Sequence, residues 1–189
     1  MIDLALKFIT DELGTFLHSR IGPSAPEVKL TKMVDDSGKY AFGEETVVVT
    51  VINIEEDRTF KSQLPEYTLR DGQHIITEPD IKINLYVMFA ANFNQYNEAL
   101  KCISFLLTFF QSHPAFTPGS FPALDVRIER LTLELQNLGY DQINQVWTFL
   151  GAKHLPSLVY KMRLVIIKDE VSTGIQPPIT IINANLNNK

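Results

Sequence analysis

The sequence predicts a mixed α/β (α+β) fold, in which about three helices pack against a twisted mixed sheet. Two kinds of segment carry this prediction. Some are β-branched throughout or alternate apolar with polar residues, which is typical of strands. Others have apolar residues spaced by three and four, which is typical of amphipathic helices. A chain of 189 residues is long enough to bury a sizeable core in one domain.

The first part of the chain predicts one helix and two strands. Apolar residues recur at helical spacing over 2–19, and a glycine and two prolines follow. A short strand is expected near 27–33, and the β-branched run at 46–54 predicts a second, central strand. Residues 55–80 are polar with scattered apolar positions and too long for a plain connection. We expect either a functional excursion or a mobile loop there.

The stretch INLYVMFAANFNQYNEALKCISFLLTFFQSH, residues 83–113, contains only two charged side chains. It divides into a strand near 81–90 and a helix near 95–112, which Asn92 and Asn94 could cap. Its last apolar run covers about a dozen residues, short of the ~20 needed to cross a bilayer. No direct membrane insertion is therefore expected. The helix is apolar on most sides, which predicts burial in the domain or against a neighbouring subunit.

The second half repeats the order strand, helix, strand. A strand near 125–136 alternates until Arg130, where the pattern skips a position and predicts a bulge. A helix near 140–151 ends on Gly151, a residue suited to a C-terminal cap. The last strand, near 157–167, alternates regularly and has one face with a basic tinge.

The residues after the last strand predict an extended arm, so we divide the chain into a domain at 1–168 and an arm at 169–189. Prolines and β-branched residues favour an extended backbone in the arm. Such a segment could add a strand to the sheet of another subunit. A disordered tail explains the composition equally well. The candidate binding residues of the arm are Ile175, Pro177, Pro178, Ile179, Ile181 and Ile182.

Charge and cysteine content narrow the classes of function. A net charge of −5 argues against binding to nucleic acid and against a polybasic membrane anchor. With one cysteine, the chain cannot form an internal disulfide, which fits a reducing cytosol. Charged residues interrupt the N-terminal apolar positions, so that segment is not expected to be a signal peptide.

We expect no catalytic, metal or cofactor site. The sequence contains no glycine-rich phosphate loop or CxxC pair, and its four histidines are scattered. His113 and His154 lie near predicted helix ends, where a positively charged imidazole interacts favourably with the helix dipole. We favour this structural role over a catalytic one. Cys102 is expected to be a buried, inert thiol and Trp147 a core residue. Residues 55–57 are expected to form a solvated acidic turn. An enzyme built from scattered polar residues stays an alternative.

Three strings closely resemble the cap, or tail-terminator, proteins of phage-tail-like contractile injection systems of the antifeeding-prophage and virulence-cassette type. They are MIDLALKFITDEL, INLYVMFAANFNQYNEALKCISFLLTFFQSHPAFT and LTLELQNLGYDQINQVWTFLGAKHLPSLVYKMRLV. The resemblance implies a fold like a phage tail terminator, without catalytic residues. It also implies a six-fold ring that closes the distal end of the inner tube and holds the last sheath ring.

This resemblance implies three partners: other copies of the chain in a homo-hexamer, the inner tube protein and the sheath protein. Such a cap would be cytoplasmic during assembly and afterwards part of the particle. Its arm would couple to the last sheath ring. The alternative is a monomeric module that recruits a partner through the arm. The candidate subunit-interface residues of the second helix are Tyr96, Phe105, Leu106 and Phe109.

Overall fold

The computed structural model describes residues 1–57, 66–70, 73–77, 81–166 and 174–176, with side chains described within 1–57 and 82–164. The described residues form three helices, which are α1 (Ile2–Ile21), α2 (Tyr96–Ser112) and α3 (Tyr140–Leu150). They also form nine strands, which are β1 (Glu27–Leu30), β2 (Thr46–Glu56), β3 (Glu66–Arg70), β4 (Gln73–Thr77), β5 (Ile81–Asn92), β6 (Ala115–Phe116), β7 (Ile128–Leu135), β8 (Ser157–Ile166) and β9 (Gly174–Gln176). The predicted α+β class is confirmed.

Six strands form the main sheet in the order β1-β2-β5-β8-β7-β6. Strands β1 and β2 are parallel and the other neighbours are antiparallel, so the sheet is mixed as expected. The register of β7 against β8 shifts between Ile128 and Arg130, which confirms the predicted bulge. A second shift interrupts β2 between Val51 and Asn53. Such irregularities bend a strand and increase its twist.

Helices α1 and α2 cover one face of the main sheet. Strand β5 sends Leu85, Val87 and Phe89 into this layer, where they meet the buried faces of both helices. Phenylalanine rings fill much of the space, and the Phe89 and Phe110 ring centroids lie 4.9 Å apart. This layer contains the larger of the two apolar clusters. Burying these apolar side chains away from water stabilises the whole domain.

Helix α3 lies on the opposite face of the sheet. The alternate residues of β5, Met88 and Ala90, point to this side and pack with Trp147 of α3 and Val159 of β8. The prediction that Trp147 is a core residue is confirmed. Gly151 ends α3 in the left-handed conformation, at φ 67° and ψ 19°, as the sequence indicated.

A second, three-stranded sheet has the order β3-β4-β9. Strands β3 and β4 form an antiparallel hairpin within residues 55–80, so the alternative of a mobile loop over that whole range was wrong, and a functional excursion stays a prediction. The sequence contains Asp71-Gly72 between the two strands, a strong hairpin signal. Strand β9 of the arm pairs antiparallel with β4, so the arm is not free of the rest of the chain.

Several local expectations were also wrong. Neither Asn92 nor Asn94 caps α2, whose N-cap is Gln95 without a side-chain hydrogen bond. Instead the Nδ2 of Asn92 donates to the Gly43 carbonyl at 2.8 Å, and the Nδ2 of Asn94 donates to a Glu44 carboxylate oxygen at 2.6 Å. Both amides therefore tie the end of β5 to the loop before β2.

Candidate interaction surfaces

The four predicted interface residues of α2 separate into two environments. Leu106 and Phe109 are buried in the interior of the domain, and the Phe109 ring centroid lies 5.1 Å from that of Phe16 in α1. Phe105 is half-buried against the same cluster. Only Tyr96 is strongly exposed, at 65%. Because α1 packs on α2, Leu106 and Phe109 cannot reach a neighbouring subunit in this fold.

A second apolar stripe on α2 is exposed. Tyr96, Leu100 and Leu107 are 65%, 44% and 37% exposed, and half-buried Ile103 lies between them. Spacings of three and four residues place these four side chains on one side of the helix. Exposed uncharged residues lie beside them. We call this surface the α2 patch, and it comprises Tyr96, Asn97, Leu100, Ile103, Ser104, Leu107, Thr108 and Gln111.

The charged residues of α2 lie outside this patch. Lys101 borders the patch beside Asn97 and Ser104, and its Nζ is 3.6 Å from a carboxylate oxygen of Glu98, which lies farther round the helix. An exposed pair of this kind contributes little to stability, about 0.5 kcal/mol or less. None of the eight residues of the α2 patch is charged.

The outer side of α3 is a second surface with little charge, which the sequence reasoning did not single out. Tyr140 is 94% exposed and Phe149 is 61% exposed, although both are aromatic. Residues 136–150 contain one charge, Asp141. This low charge over an amphipathic helix was the signal available in the sequence. We call this surface the α3 patch, and it comprises Tyr140, Asp141, Asn144, Gln145, Thr148 and Phe149.

A groove of about 320 Å³ adjoins the α3 patch, between the end of β7 and the start of β8. All nine of its lining residues are uncharged. Its apolar walls come from Leu135, Leu138, Tyr140, Ile143, Leu158 and Val159. The groove and the α3 patch therefore form one continuous surface that an apolar side chain could enter.

The predicted acidic turn at residues 55–57 is not a turn. Strand β2 continues to Glu56, and Asp57 approaches Arg163 of β8, with the carboxylate oxygen 3.3 Å from Nε. Burial, and secondarily the negative charge of Glu55, raises the pKa of Tyr86 above its usual value. These residues lie on the face of the sheet opposite α1 and α2, at the part of that face where the side chains become polar.

The predicted face of β8 with basic side chains is confirmed by Arg163 and Lys161. The Nζ of Lys161 lies 6.0 Å from the centroid of the Tyr86 ring.

The residues considered for catalysis, which are Cys102, His113 and His154, are buried or contact other residues of the domain. Burial of Cys102 raises the pKa of its thiol to about 12, which confirms the inert thiol. The Nδ1 of His113 lies 3.1 Å from the Phe109 carbonyl at the end of α2. The ring of His154 lies 5.4 Å from that of Trp147, which is in the last turn of α3. Within the described residues, no three His, Cys, Asp or Glu side chains group to hold a metal ion, and no helix is long and apolar enough to cross a membrane.

The arm is described only over β9. Its backbone pairs with β4 in a register that matches Ile175 with Ile75. The other candidate residues of the arm, which are Pro177, Pro178, Ile179, Ile181 and Ile182, lie outside the described residues.

No curated protein matches the sequence. Two cryo-EM structures resemble the fold. One is the sheath/tube terminator of the extracellular contractile injection system PVC in its extended state, at a TM-score of 0.62 and 12% identity over 96% of this chain and 62% of that one. The other is the tube-terminating cap of the anti-feeding prophage, at 0.61 and 11% identity over 94% of this chain and 60% of that one. The chain thus spans about three fifths of the length of each.

At such low identity the two structures establish the fold, which agrees with the terminator-like architecture expected from the sequence. The family is established separately, by a model of the Pvc16 N-terminal domain that matches residues 8–181. That match runs from within α1 through β9 and includes both patches. The chain belongs to the Pvc16 N-terminal domain family.

Proposed function

We propose that this protein is a structural cap, which forms a ring that terminates the inner tube and the sheath of a contractile injection system. The observation that carries the proposal is the agreement in fold, over nearly the whole chain, with two proteins described as terminators of such particles. Membership of the Pvc16 N-terminal domain family supports the same conclusion. The partners would be other copies of this chain, the inner tube protein and the sheath protein.

The ring would contain six copies, matching a six-fold tube and sheath so that every subunit has equivalent contacts. The α2 patch is the part of the predicted interface helix that a neighbouring copy could reach. We place the protein in the cytoplasm during assembly and in the particle afterwards. We assign it no catalytic role. The buried Cys102 and the engaged His113 and His154 support that assignment.

The arm, residues 169–189, would couple the ring to the last sheath ring by adding a strand to a neighbouring sheet. Pairing of β9 with β4 supports the idea that this segment can join a sheet edge, because the contact uses backbone hydrogen bonds that another edge could also offer. The residues Pro177, Pro178, Ile179, Ile181 and Ile182 would then extend from β9 towards the sheath.

The proposal is tested by electron microscopy of particles from a strain that lacks this gene, alongside the same strain complemented with it. Without the cap, tubes and sheaths should be ragged or overlong, because nothing stops polymerisation at a defined length. Complementation should restore uniform particles. Normal length and sheath order in the deletion strain would instead favour a binding module outside the particle.

A further inference from the structure

A closed ring of more than two copies places a specific demand on its subunits. Each contact is heterologous, so every copy must present two unlike surfaces, one to each neighbour. A single self-complementary patch would produce a two-fold dimer. The ring of the proposed function, on which this inference rests, therefore requires two distinct contact surfaces on this chain.

The fold presents two such surfaces on opposite faces of the main sheet. The α2 patch lies on the side that α1 and α2 cover, and the α3 patch with its adjoining groove lies on the other side. They differ in chemistry. The α2 patch is a stripe of Tyr96, Leu100, Ile103 and Leu107 that projects from a helix, whereas the α3 side combines exposed aromatic and amide side chains with a recess.

Charge indicates that the occupant of each surface is a second copy of this chain. The net charge is −5, so two copies repel each other over most of their surfaces. The electrostatic cost of bringing two copies together is lowest where their surfaces carry no charge. The two patches together contain one charged residue, Asp141. Exposed aromatic residues and a low content of charge are also typical of the centre of a protein interface. A basic partner would instead be expected at an acidic surface.

We infer that the α2 patch of one copy packs against the α3 patch of the next, with its apolar stripe directed into the groove beside Tyr140. The groove walls are uncharged, so the leucine side chains would leave water without desolvating a charge there. Repeating this one contact around an axis closes the ring, and each copy uses both surfaces once.

The contact is small. The α2 patch has eight residues, and the α3 patch with its groove has fourteen, whereas a stable interface takes roughly 20–30 residues from each partner. Isolated copies would therefore associate weakly. The end of a tube collects several copies at a high effective concentration, and there the same contact closes the ring.

Cysteine cross-linking in assembled particles tests the contact. Leu100→Cys places a thiol in the α2 patch and Asn144→Cys places one in the α3 patch, while the native Cys102 is buried. With a flexible bismaleimide that can span a patch, the double variant should give a ladder of covalent oligomers up to the closed ring. A mixture of the two single variants should give covalent dimers and nothing larger.

Glu98→Cys is the matched control, because two residues back along α2 turn the side chain by about 200° from that of Leu100, away from the patch. Combined with Asn144→Cys it should leave the chain uncross-linked. Dimers from Leu100→Cys alone would mean that two α2 patches meet face to face, and would overturn the inference. A double variant that occupies the particle end without cross-linking would also overturn it.

Charge insertion gives an independent readout. Leu100→Asp and Tyr140→Asp each bring a carboxylate into the contact and should reduce incorporation into particles at least tenfold, whereas Glu98→Lys, a charge reversal away from the patch, should incorporate like the wild type. Equal incorporation of all three would overturn the contact while leaving the cap in place. Absence of the wild-type protein from particles would overturn the proposed function itself, so the two failures are distinguishable.

Discussion

Adjacent leucines on α2 have opposite environments. Leu106 is fully buried among the phenylalanines of α1 and α2, whereas Leu107 belongs to the exposed α2 patch. The sequence identified a helix that is apolar on more than one side. It could not tell which stripe faces the interior, because both stripes are apolar and the position of α1 decides between them. Phe109 was assigned to the surface for the same reason.

Truncating these two leucines should therefore have different effects. Leu106→Ala removes a buried side chain and leaves a cavity, so we expect the free energy of unfolding to fall by about 2–5 kcal/mol. Leu107→Ala should change it by less than about 1 kcal/mol. Urea unfolding of both variants provides the comparison. Equal losses would show that the assignment of interior and surface on α2 is wrong.

Cys102 should make stability depend on pH in the alkaline range. Its pKa is raised in the folded chain from 9.0 to about 12, because burial disfavours the thiolate. Below pH 9 the thiol is protonated in both states, so the folded chain keeps its full stability. As pH rises from 9 towards 12 that stability is lost, because only the unfolded chain then releases the thiol proton. The wild type should lose up to roughly 1.4 kcal/mol per pH unit more than Cys102→Ala in that window. Parallel curves for the two proteins would contradict this burial.

At the scale of elements, the long segments and the short strand β1 were predictable, whereas the hairpin β3–β4 and strand β6 were not. Strands β2, β5 and β8 follow from alternation and β-branching, and α1 and α2 from helical spacing. The hairpin β3–β4 was missed because its strands have five residues each and mix polar with apolar positions. Strand β6 has two residues, too few for any periodic pattern. It exists because β7 offers an edge there.

The end of α3 tests a local backbone requirement. Gly151 has φ 67°, and an added Cβ would come no closer than 3.9 Å to Val34. A side chain at this position is therefore disfavoured by the left-handed backbone conformation and not by a steric clash. Gly151→Ala should lower the free energy of unfolding by about 1–2 kcal/mol. Gly43→Ala is the control, because Gly43 lacks a positive φ and has open space around its Cα. Similar values for both variants in urea would contradict the left-handed cap.

The arm and the hairpin should depend on each other. Removing residues 172–189 deletes β9 and leaves β3 and β4 as an isolated hairpin, which is marginal in water. The main sheet should keep its thermal transition, while limited proteolysis within 58–80 becomes several-fold faster. Removing residues 177–189 retains β9 and serves as the control, with proteolysis near the wild-type rate. Equal cleavage of the two truncated chains would argue against the β4–β9 pairing.

For the whole molecule, the fold class followed from the sequence but the strand order did not. The order β1-β2-β5-β8-β7-β6 depends on which strands meet across long intervals, and apolar patterns carry no information about that. The α3 patch was missed for a related reason. A tyrosine and a phenylalanine on an amphipathic helix resemble core residues in sequence, and their exposure becomes visible only once Trp147 is seen to take the inward side.

The central claim is that this chain caps a particle. It is tested most directly by cryo-EM of purified particles carrying a labelled form of the protein, with the wild type as control. The account predicts a single ring of six copies at the end opposite the baseplate, over the last tube and sheath rings. Label distributed along the whole tube, or absent from intact particles, would contradict it.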